Sequence, residues 1–359
     1  MPQPPLSDEL AREAAEAYRR LGLTKGAEEV GVNIKTFDSR VRAAIDRGYV
    51  SRSDCARLKG SGKERLRDQI DVPDLPDEEL SVDELVEWRI KQFHQKRIAH
   101  EARRCVPVKV KPPGPVGILW FGDPHVDDDG TDLEALRKHT ELAATTQGLF
   151  AANVGDTTNN WTGRLAKLYA QQGTSAKHAW MLAEWFVRRC PWLVIIGGNH
   201  DMWAGAGDPM NWIAKGQTFL HEPSEARFSL NFPNGRSVIV NSRHDFSGHS
   251  QWNPAHGAMK SAQLGPRDHI HVAGHKHISG YGITKDPASG RVSHSLLVGS
   301  YKIMDRYAKE RGFRDQTLSP CAMTVIDPSL PDTDADMIKV FWNPHEGADY
   351  LKYKRSGGR

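Results

Sequence analysis

The sequence has few cysteines and no long apolar run. Its four cysteines are spread over 359 residues without a C-x-x-C pair, which excludes the usual signatures of a disulfide framework and of a zinc knuckle. No uninterrupted apolar stretch is long enough to span a membrane, and the first residues lack the apolar core of a signal peptide. These absences predict a soluble, cytoplasmic protein that has no membrane partner. The net charge of +3 permits a polyanionic partner without requiring one.

The chain changes character near residue 112, from charged helical patterns to β-type apolar runs that alternate with helices and glycine-rich turns. We divide it into four segments. Residues 1–58 form a small all-α domain, and residues 59–112 form a charged linker and helix. Residues 113–345 form an α/β domain, and residues 346–359 form a basic, flexible tail.

The first segment predicts three short helices. Ser7 is a good N-cap for the first, and the second begins near Thr24. A turn at Gly31 and a new N-cap at Asn33 then precede the third helix. This pattern resembles the helix-turn-helix DNA-binding domains of transposases and phage regulators. The resemblance implies that the start of the third helix faces DNA through Lys35, Thr36, Ser39 and Arg40.

Other interpretations of the N-terminal part stay open. Three amphipathic helices also suit a protein interaction module, and Asp38 and Asp46 weaken the positive field of the third helix. The basic stretch from Arg89 to Lys111 suits a contact with phosphates and, equally well, a solvated helix whose charges complement its dipole.

Polar clusters follow five β-type runs in the α/β segment. The carboxyl ends of parallel strands meet at one edge of a sheet, so we expect these clusters to lie together. Carboxylates and imidazoles in combination suit manganese, iron or zinc. The clusters are Asp123-Pro-His125, Gly155-Asp156, Gly198-Asn-His-Asp201, His244 and Gly274-His-Lys-His277.

In this order the five motifs resemble those of the calcineurin-like metallophosphoesterase superfamily, over about residues 115–345. The resemblance implies a four-layer α/β/β/α sandwich and two divalent metal ions, preferably manganese, with iron or zinc as alternatives. One metal would be held by Asp123, His125 and His277, and the other by Asn199, His244 and His275, with Asp156 between them. A hydroxide bridging the metals would attack phosphorus.

The same resemblance implies that His200 is not a ligand. It would stabilise charge on the phosphoryl group and help to protonate the leaving oxygen, with Asp201 as its orienting partner. His249 is a rival to His244, which we prefer because it comes directly off a strand. Asp127, Asp128 and Asp129 are interpreted as an acidic turn. Asn159 and Asn160 stand where many relatives carry a charged residue.

The motifs predict a reaction class more sharply than a substrate. A phosphodiesterase or nuclease acting on DNA is the leading hypothesis, since a helix-turn-helix-like domain precedes the enzyme and base-stacking or cationic residues accompany the site. A phosphomonoesterase is the alternative, and a DNA-binding regulator without activity is the third. The accompanying residues are Trp161, Arg164, Trp252, Tyr301, Lys302, Arg306 and Arg311.

Overall fold

The computed structural model describes residues 6–51, 79–161, 163–203, 207–304 and 317–358. The chain forms two compact units, Met1–Glu87 and Trp88–Arg359. The predicted linker features between residues 59 and 78, and Arg306 and Arg311, lie outside the described residues. No helix in these ranges is both long enough and apolar enough to cross a membrane.

The N-terminal unit contains α1 (Asp8–Glu29) and α2 (Ile34–Asp46). Gly22 breaks α1 with φ 76° and ψ −172°, so two helices flank it, as predicted. The side chain of Asn33 accepts the backbone N–H of Thr36 at 2.9 Å and caps α2. Phe37, fully buried, lies in the interface between the two helices. The predicted helices and caps are therefore present.

Helix α3 (Val82–Arg103) begins at a capping box, in which the Glu84 carboxylate accepts the backbone N–H of Ser81 and the Ser81 hydroxyl oxygen accepts the backbone N–H of Glu84. The chain then enters the sheets. Strand β1 (Val106–Lys109) pairs in parallel with β6 (Glu225–Asn231), so part of the predicted 59–112 linker belongs to the α/β fold. That boundary was placed too late because four residues are too few to show a strand period.

The other strands are β2 (Val116–Phe121), β3 (Leu149–Asn153), β4 (Trp192–Ile196), β5 (Leu220–Glu222), β6 (Glu225–Asn231), β7 (Ser237–Arg243), β8 (Ile270–Ala273), β9 (Gly280–Lys285), β10 (Val292–Leu297), β11 (Cys321–Ile326) and β12 (Ile338–Phe341). The other α-helices are α4 (Leu133–Thr145), α5 (Ala176–Val187), α6 (Met210–Ile213), α7 (His256–Leu264) and α8 (Pro344–Arg355). Short 3₁₀ helices span Gly163–Gln171 and Ala335–Met337.

Two six-stranded sheets form the α/β unit. Their strand orders are β1-β6-β7-β8-β10-β9 and β12-β11-β2-β3-β4-β5. Strand β2 shows how they pack, because its residues alternate between two apolar layers. Ile118 and Trp120 enter the core between the sheets, whereas Leu119 and Phe121 enter the core under α4, α5 and α8. With α7 against the first sheet, this confirms the predicted four-layer α/β/β/α sandwich.

The C-terminal helix corrects the prediction of a flexible tail over residues 346–359. Helix α8 begins with Asn343 as its N-cap and Pro344 in its first turn. Ala348 and Leu351 are fully buried against the second sheet. The basic residues and the final glycines suggested disorder, but the basic residues lie in the last turn, where cations favour a helix.

Candidate metal centre

The predicted ligands all follow carboxyl ends of strands, and both sheets contribute. Asp123 and His125 follow β2, Asp156 follows β3, Asn199 follows β4, His244 follows β7, and His275 and His277 follow β8. The structure brings all seven side chains into one cluster, as the placement after strands predicts.

Asp123, His125 and His277 form a first group. The Nε2 atoms of His125 and His277 lie 3.1 Å apart. The Nε2 atom of His277 lies 3.5 Å from Oδ2 of Asp123. Asp123 and His125 are buried. Two imidazole nitrogens and a carboxylate oxygen therefore converge on one point.

A second group is centred on Nε2 of His244. It lies 3.0 Å from Oδ1 of Asn199 and 3.0 Å from Nδ1 of His275. The other ring nitrogen, Nδ1, lies 2.9 Å from the carbonyl oxygen of Val154, so it suits the N–H form and leaves Nε2 as an acceptor. A backbone carbonyl on the far side of a ring is the usual way of orienting a histidine ligand.

Asp156 lies between the two groups. Its Oδ2 is 3.3 Å from Nε2 of His244 and 4.0 Å from Nε2 of His125. The donor atoms of Asp156, His244 and His275 all lie within 4.8 Å of one another. One carboxylate can thus serve both groups.

The donor set fits divalent cations. Both carboxylate oxygens of Asp123 are buried without a hydrogen-bond partner among the described residues. Burial raises the pKa of Asp123 well above its usual range, and it lowers the pKa of His125 well below its own. Buried, unpaired acceptors of this kind are costly unless a positive charge compensates them.

The backbone at the cluster is strained. Among the described non-glycine residues, seven have a positive φ, and five of these are predicted ligands. Such conformations each cost roughly 1–3 kcal/mol and concentrate at functional sites. The five are Asp123 (22°), His125 (38°), Asp156 (50°), His275 (69°) and His277 (51°).

Glycines beside the ligands leave room for ligands of other motifs. A Cβ atom at Gly155, whose φ is 119°, would lie 2.3 Å from Nδ1 of His244. A Cβ atom at Gly274 would lie 2.5 Å from Oδ1 of Asp123. Gly155 and Gly274 are therefore required by the approach of side chains that follow strands of the other sheet.

His200 lies beside the cluster. Its ring is 5.3 Å from that of His125 and 5.4 Å from that of Trp161, nearly perpendicular to both. Its backbone N–H donates to Oδ1 of Asp156 at 2.9 Å. Its Nδ1 makes a hydrogen bond with the carbonyl oxygen of Asn159.

Asp201 does not orient the His200 ring, so that prediction is wrong. One of its carboxylate oxygens accepts the backbone N–H groups of Gly198 and Thr157, at 2.8 and 3.2 Å, and the other accepts that of Thr158 at 3.2 Å. Asp201 therefore ties the loop after β3 to the loop after β4. The family resemblance implied a pair with His200, but the carboxylate accepts backbone amides instead.

Some of the remaining predicted site residues are buried and others are exposed. His249 is exposed, whereas His244 is buried in the cluster. Tyr301 is fully buried and stacks on Phe121, so it cannot meet a substrate as predicted. Trp252 is 92% exposed. The side chain of Arg164 is outside the described part of the chain.

Lys302 and Trp161 lie near His200, though neither is on the surface. The Lys302 ammonium is 4.7 Å from the centre of the Trp161 ring and 3.0 Å from Oδ2 of Asp128. Trp161 is 7% exposed and Lys302 8% exposed. Both side chains are therefore buried beside the site, and neither is exposed for a nucleic-acid base to stack on.

No protein-family model and no curated protein matches this chain. Among solved structures it is similar to NAD nucleotidase NadN from Haemophilus influenzae, with 9% identity and a TM-score of 0.36 over 64% of this chain. The chain spans 50% of NadN.

It is also similar to the calcineurin-like phosphoesterase YfkN from Bacillus subtilis, with 12% identity and a TM-score of 0.33 over 67% of this chain and 100% of that one. A third similar structure is Vps29 from Chaetomium thermophilum, with 13% identity and a TM-score of 0.30 over 63% of this chain and 95% of that one. At such identities, the residues of this chain have to carry any functional conclusion.

Proposed function

We propose that this chain is a calcineurin-like metallophosphoesterase that hydrolyses phosphodiesters in DNA with two divalent cations. The convergence of seven donor side chains from five strands, with Asp156 between two groups, carries the proposal. When bound, the cations would neutralise phosphoryl oxygens and lower the pKa of an attacking water. Asp123, His125 and His277 would hold one cation, Asn199, His244 and His275 the other, and Asp156 both.

His200 supplies the proton transfer in this proposal. Because its Nδ1 is engaged by the carbonyl of Asn159, Nε2 is the atom that can hold a proton toward the leaving oxygen. The position of the ring next to His125 supports this role.

DNA is the proposed substrate because of the N-terminal unit. Lys35, Thr36 and Ser39 are exposed at the start of α2, the position from which a recognition helix reads a major groove. Arg40 is a weaker candidate for a DNA contact, because its guanidinium lies 3.9 Å from the Glu13 carboxylate and its side chain is only 18% exposed.

The test is hydrolysis by the full chain loaded with manganese. Bis(p-nitrophenyl) phosphate, p-nitrophenyl phosphate, and single- and double-stranded DNA are offered separately, with a chelator control. We expect turnover of the diester and of DNA that the chelator abolishes. Turnover of the monoester alone would contradict the proposal and establish the phosphomonoesterase alternative. Absence of turnover of every ester would also contradict it and would favour a DNA-binding regulator without activity.

Two variants separate catalysis from metal binding. His200→Ala should keep both metals and lose about 10²- to 10⁴-fold in turnover of DNA, the range of general acid catalysis, because the leaving oxygen of DNA needs a proton. Lys35→Ala should weaken DNA binding and reduce its salt dependence by about one counterion without changing turnover of the small diester. Loss of metal from His200→Ala would make His200 a ligand and overturn its proposed role.

A further inference from the structure

The run Asp127-Asp128-Asp129, together with Asn159, has no role in the functions described so far. The sequence suggested an acidic turn and a pair of substituted asparagines. Yet Asp127 is 1% exposed and Asn159 fully buried. Buried polar groups of this kind need a structural or functional reason.

These residues make one connected set of hydrogen bonds around Asn159. Oδ1 of Asp127 accepts the backbone N–H of Asn159 at 2.7 Å. Oδ2 of Asp128 accepts its side-chain amide at 2.7 Å and lies 3.0 Å from the Lys302 ammonium. The backbone and the side chain of Asn159 are thus held from two directions.

The backbone carbonyl of Asn159 contacts Nδ1 of His200. Trp161 limits the ring on another side, at 5.4 Å and 89°. The indole N–H of Trp161 donates to Gln172 at 2.7 Å, and the amide of Gln172 donates to Asp127 at 2.9 Å. The contacts of the His200 ring with Asn159 and Trp161 therefore both lead back to Asp127, and the contact with Asn159 leads to Asp128 as well.

We propose that Asp127, Asp128 and Lys302 are positioning residues that act through the Asn159 carbonyl to set the tautomer and orientation of His200. This inference rests on the proposed role of His200 as the proton donor. A carbonyl accepts a hydrogen bond but cannot ionise, so it holds His200 with Nδ1 protonated and Nε2 directed elsewhere. Asp201, the carboxylate nearest in sequence, is fully engaged by backbone amides.

The first test uses leaving groups. Asp128→Ala and Lys302→Met are compared with Asp129→Ala, a neighbouring acid whose hydrogen bond is to the Gly173 amide at 2.8 Å. The substrates are the phenyl and p-nitrophenyl diesters of thymidine 5′-phosphate. A nitrophenolate leaves without a proton, so we expect loss of about 10-fold or more on the phenyl ester, under 3-fold on the nitrophenyl ester, and no change in Asp129→Ala.

A double-mutant cycle with His200→Ala excludes a general structural effect. If Asp128 acts through His200, then Asp128→Ala should cost nothing further in the His200→Ala background. Equal loss on both esters, or losses that add fully, would overturn the inference. Lys302→Met repeats the cycle independently if Asp128→Ala does not fold.

The second test does not depend on activity. Nitrogen-15 correlation spectra of the histidine-labelled, zinc-loaded protein report the tautomer of His200. We expect Nδ1 protonated in the wild type and a mixture in Asp128→Ala. A neutral ring protonated at Nε2 alone in the wild type, or a spectrum unchanged by Asp128→Ala, would contradict the inference. An inactive wild type with the expected tautomer would contradict only the proposed function.

Discussion

A methyl group at position 198 would overlap Asp156: an ideal Cβ there would lie 2.0 Å from Oδ1 and 2.4 Å from the backbone nitrogen of Asp156. Gly198 opens the loop after β4, and Asp156 follows β3. The loops are so close that one residue must lack a side chain for the other to stand between the two ligand groups.

Replacing Gly198 by alanine should therefore damage the metal site specifically. Asp156 would be displaced, and we expect divalent metal affinity to fall about 10- to 100-fold. Isothermal titration with manganese measures this. The control is Gly235→Ala, where a Cβ meets nothing within 4 Å and the positive φ of 84° costs about 1–2 kcal/mol of folding free energy. Equal affinity in both variants would contradict the assignment of Asp156.

His244 and His249 give a matched pair for the second ligand group. His244→Ala removes the nitrogen that lies 3.0 Å from both Asn199 and His275, so we expect the bound metal to fall from two ions per chain to one. His249→Ala changes an exposed side chain and should keep both. Mass spectrometry after dialysis measures the number of metal ions per chain in each variant. Loss of one ion from His249→Ala, but not from His244→Ala, would make His249 the ligand.

Helix α8 should contribute to stability although the sequence suggested a flexible tail. Leu351 is fully buried, so Leu351→Ala should lower the free energy of unfolding by about 2–5 kcal/mol. Lys352→Ala, which removes an exposed ion pair with Asp349, should cost about 0–1 kcal/mol. Urea denaturation measures both. Equal, small effects would show that α8 is not part of the folded unit.

The pair His221–Asp208 should give a pH-dependent stability. Burial lowers the pKa of His221, but three contacts together outweigh it, so the pKa is raised: the hydrogen bond from Nε2 to Asp208 at 2.7 Å, the negative charge of Asp208 and the hydrogen bond to the Ile195 carbonyl. The stabilisation is then complete below the unfolded pKa of about 6.5 and is lost as pH rises through the folded value.

Asp208→Asn removes the charge while keeping an oxygen for the Met210 N–H, which Asp208 accepts at 2.9 Å. The difference in unfolding free energy between wild type and this variant should be largest below about pH 6.5 and shrink above it. Urea titrations from pH 5.5 to 9 measure it. A difference that is constant across this range would show that His221 does not gain its proton through Asp208.

The sequence predicted much of the site for one physical reason. Each ligand comes directly after an apolar strand, and strand ends converge whatever the loops do. The convergence of Asp123, Asp156 and His244 could therefore be expected without knowledge of the sheet order. The glycines were also informative, because Gly155 and Gly274 touch ligands of other motifs.

The contacts of His200 could not be predicted, because they depend on loop conformation. Asn159 turns its backbone carbonyl toward His200 and its side chain toward Asp128, and no residue pattern specifies that choice. The family resemblance assigned Asp201 to His200, whereas its carboxylate accepts backbone amides of two loops. Strand β1 is too short for its period to be read.

The existence of two cation sites that share Asp156 is the central claim. It is tested most directly by anomalous diffraction at the manganese edge, from crystals grown with manganese. Two peaks are expected, one beside Asp123, His125 and His277 and one beside Asn199, His244 and His275, both next to the Asp156 carboxylate. A single peak, or peaks away from Asp156, would contradict it.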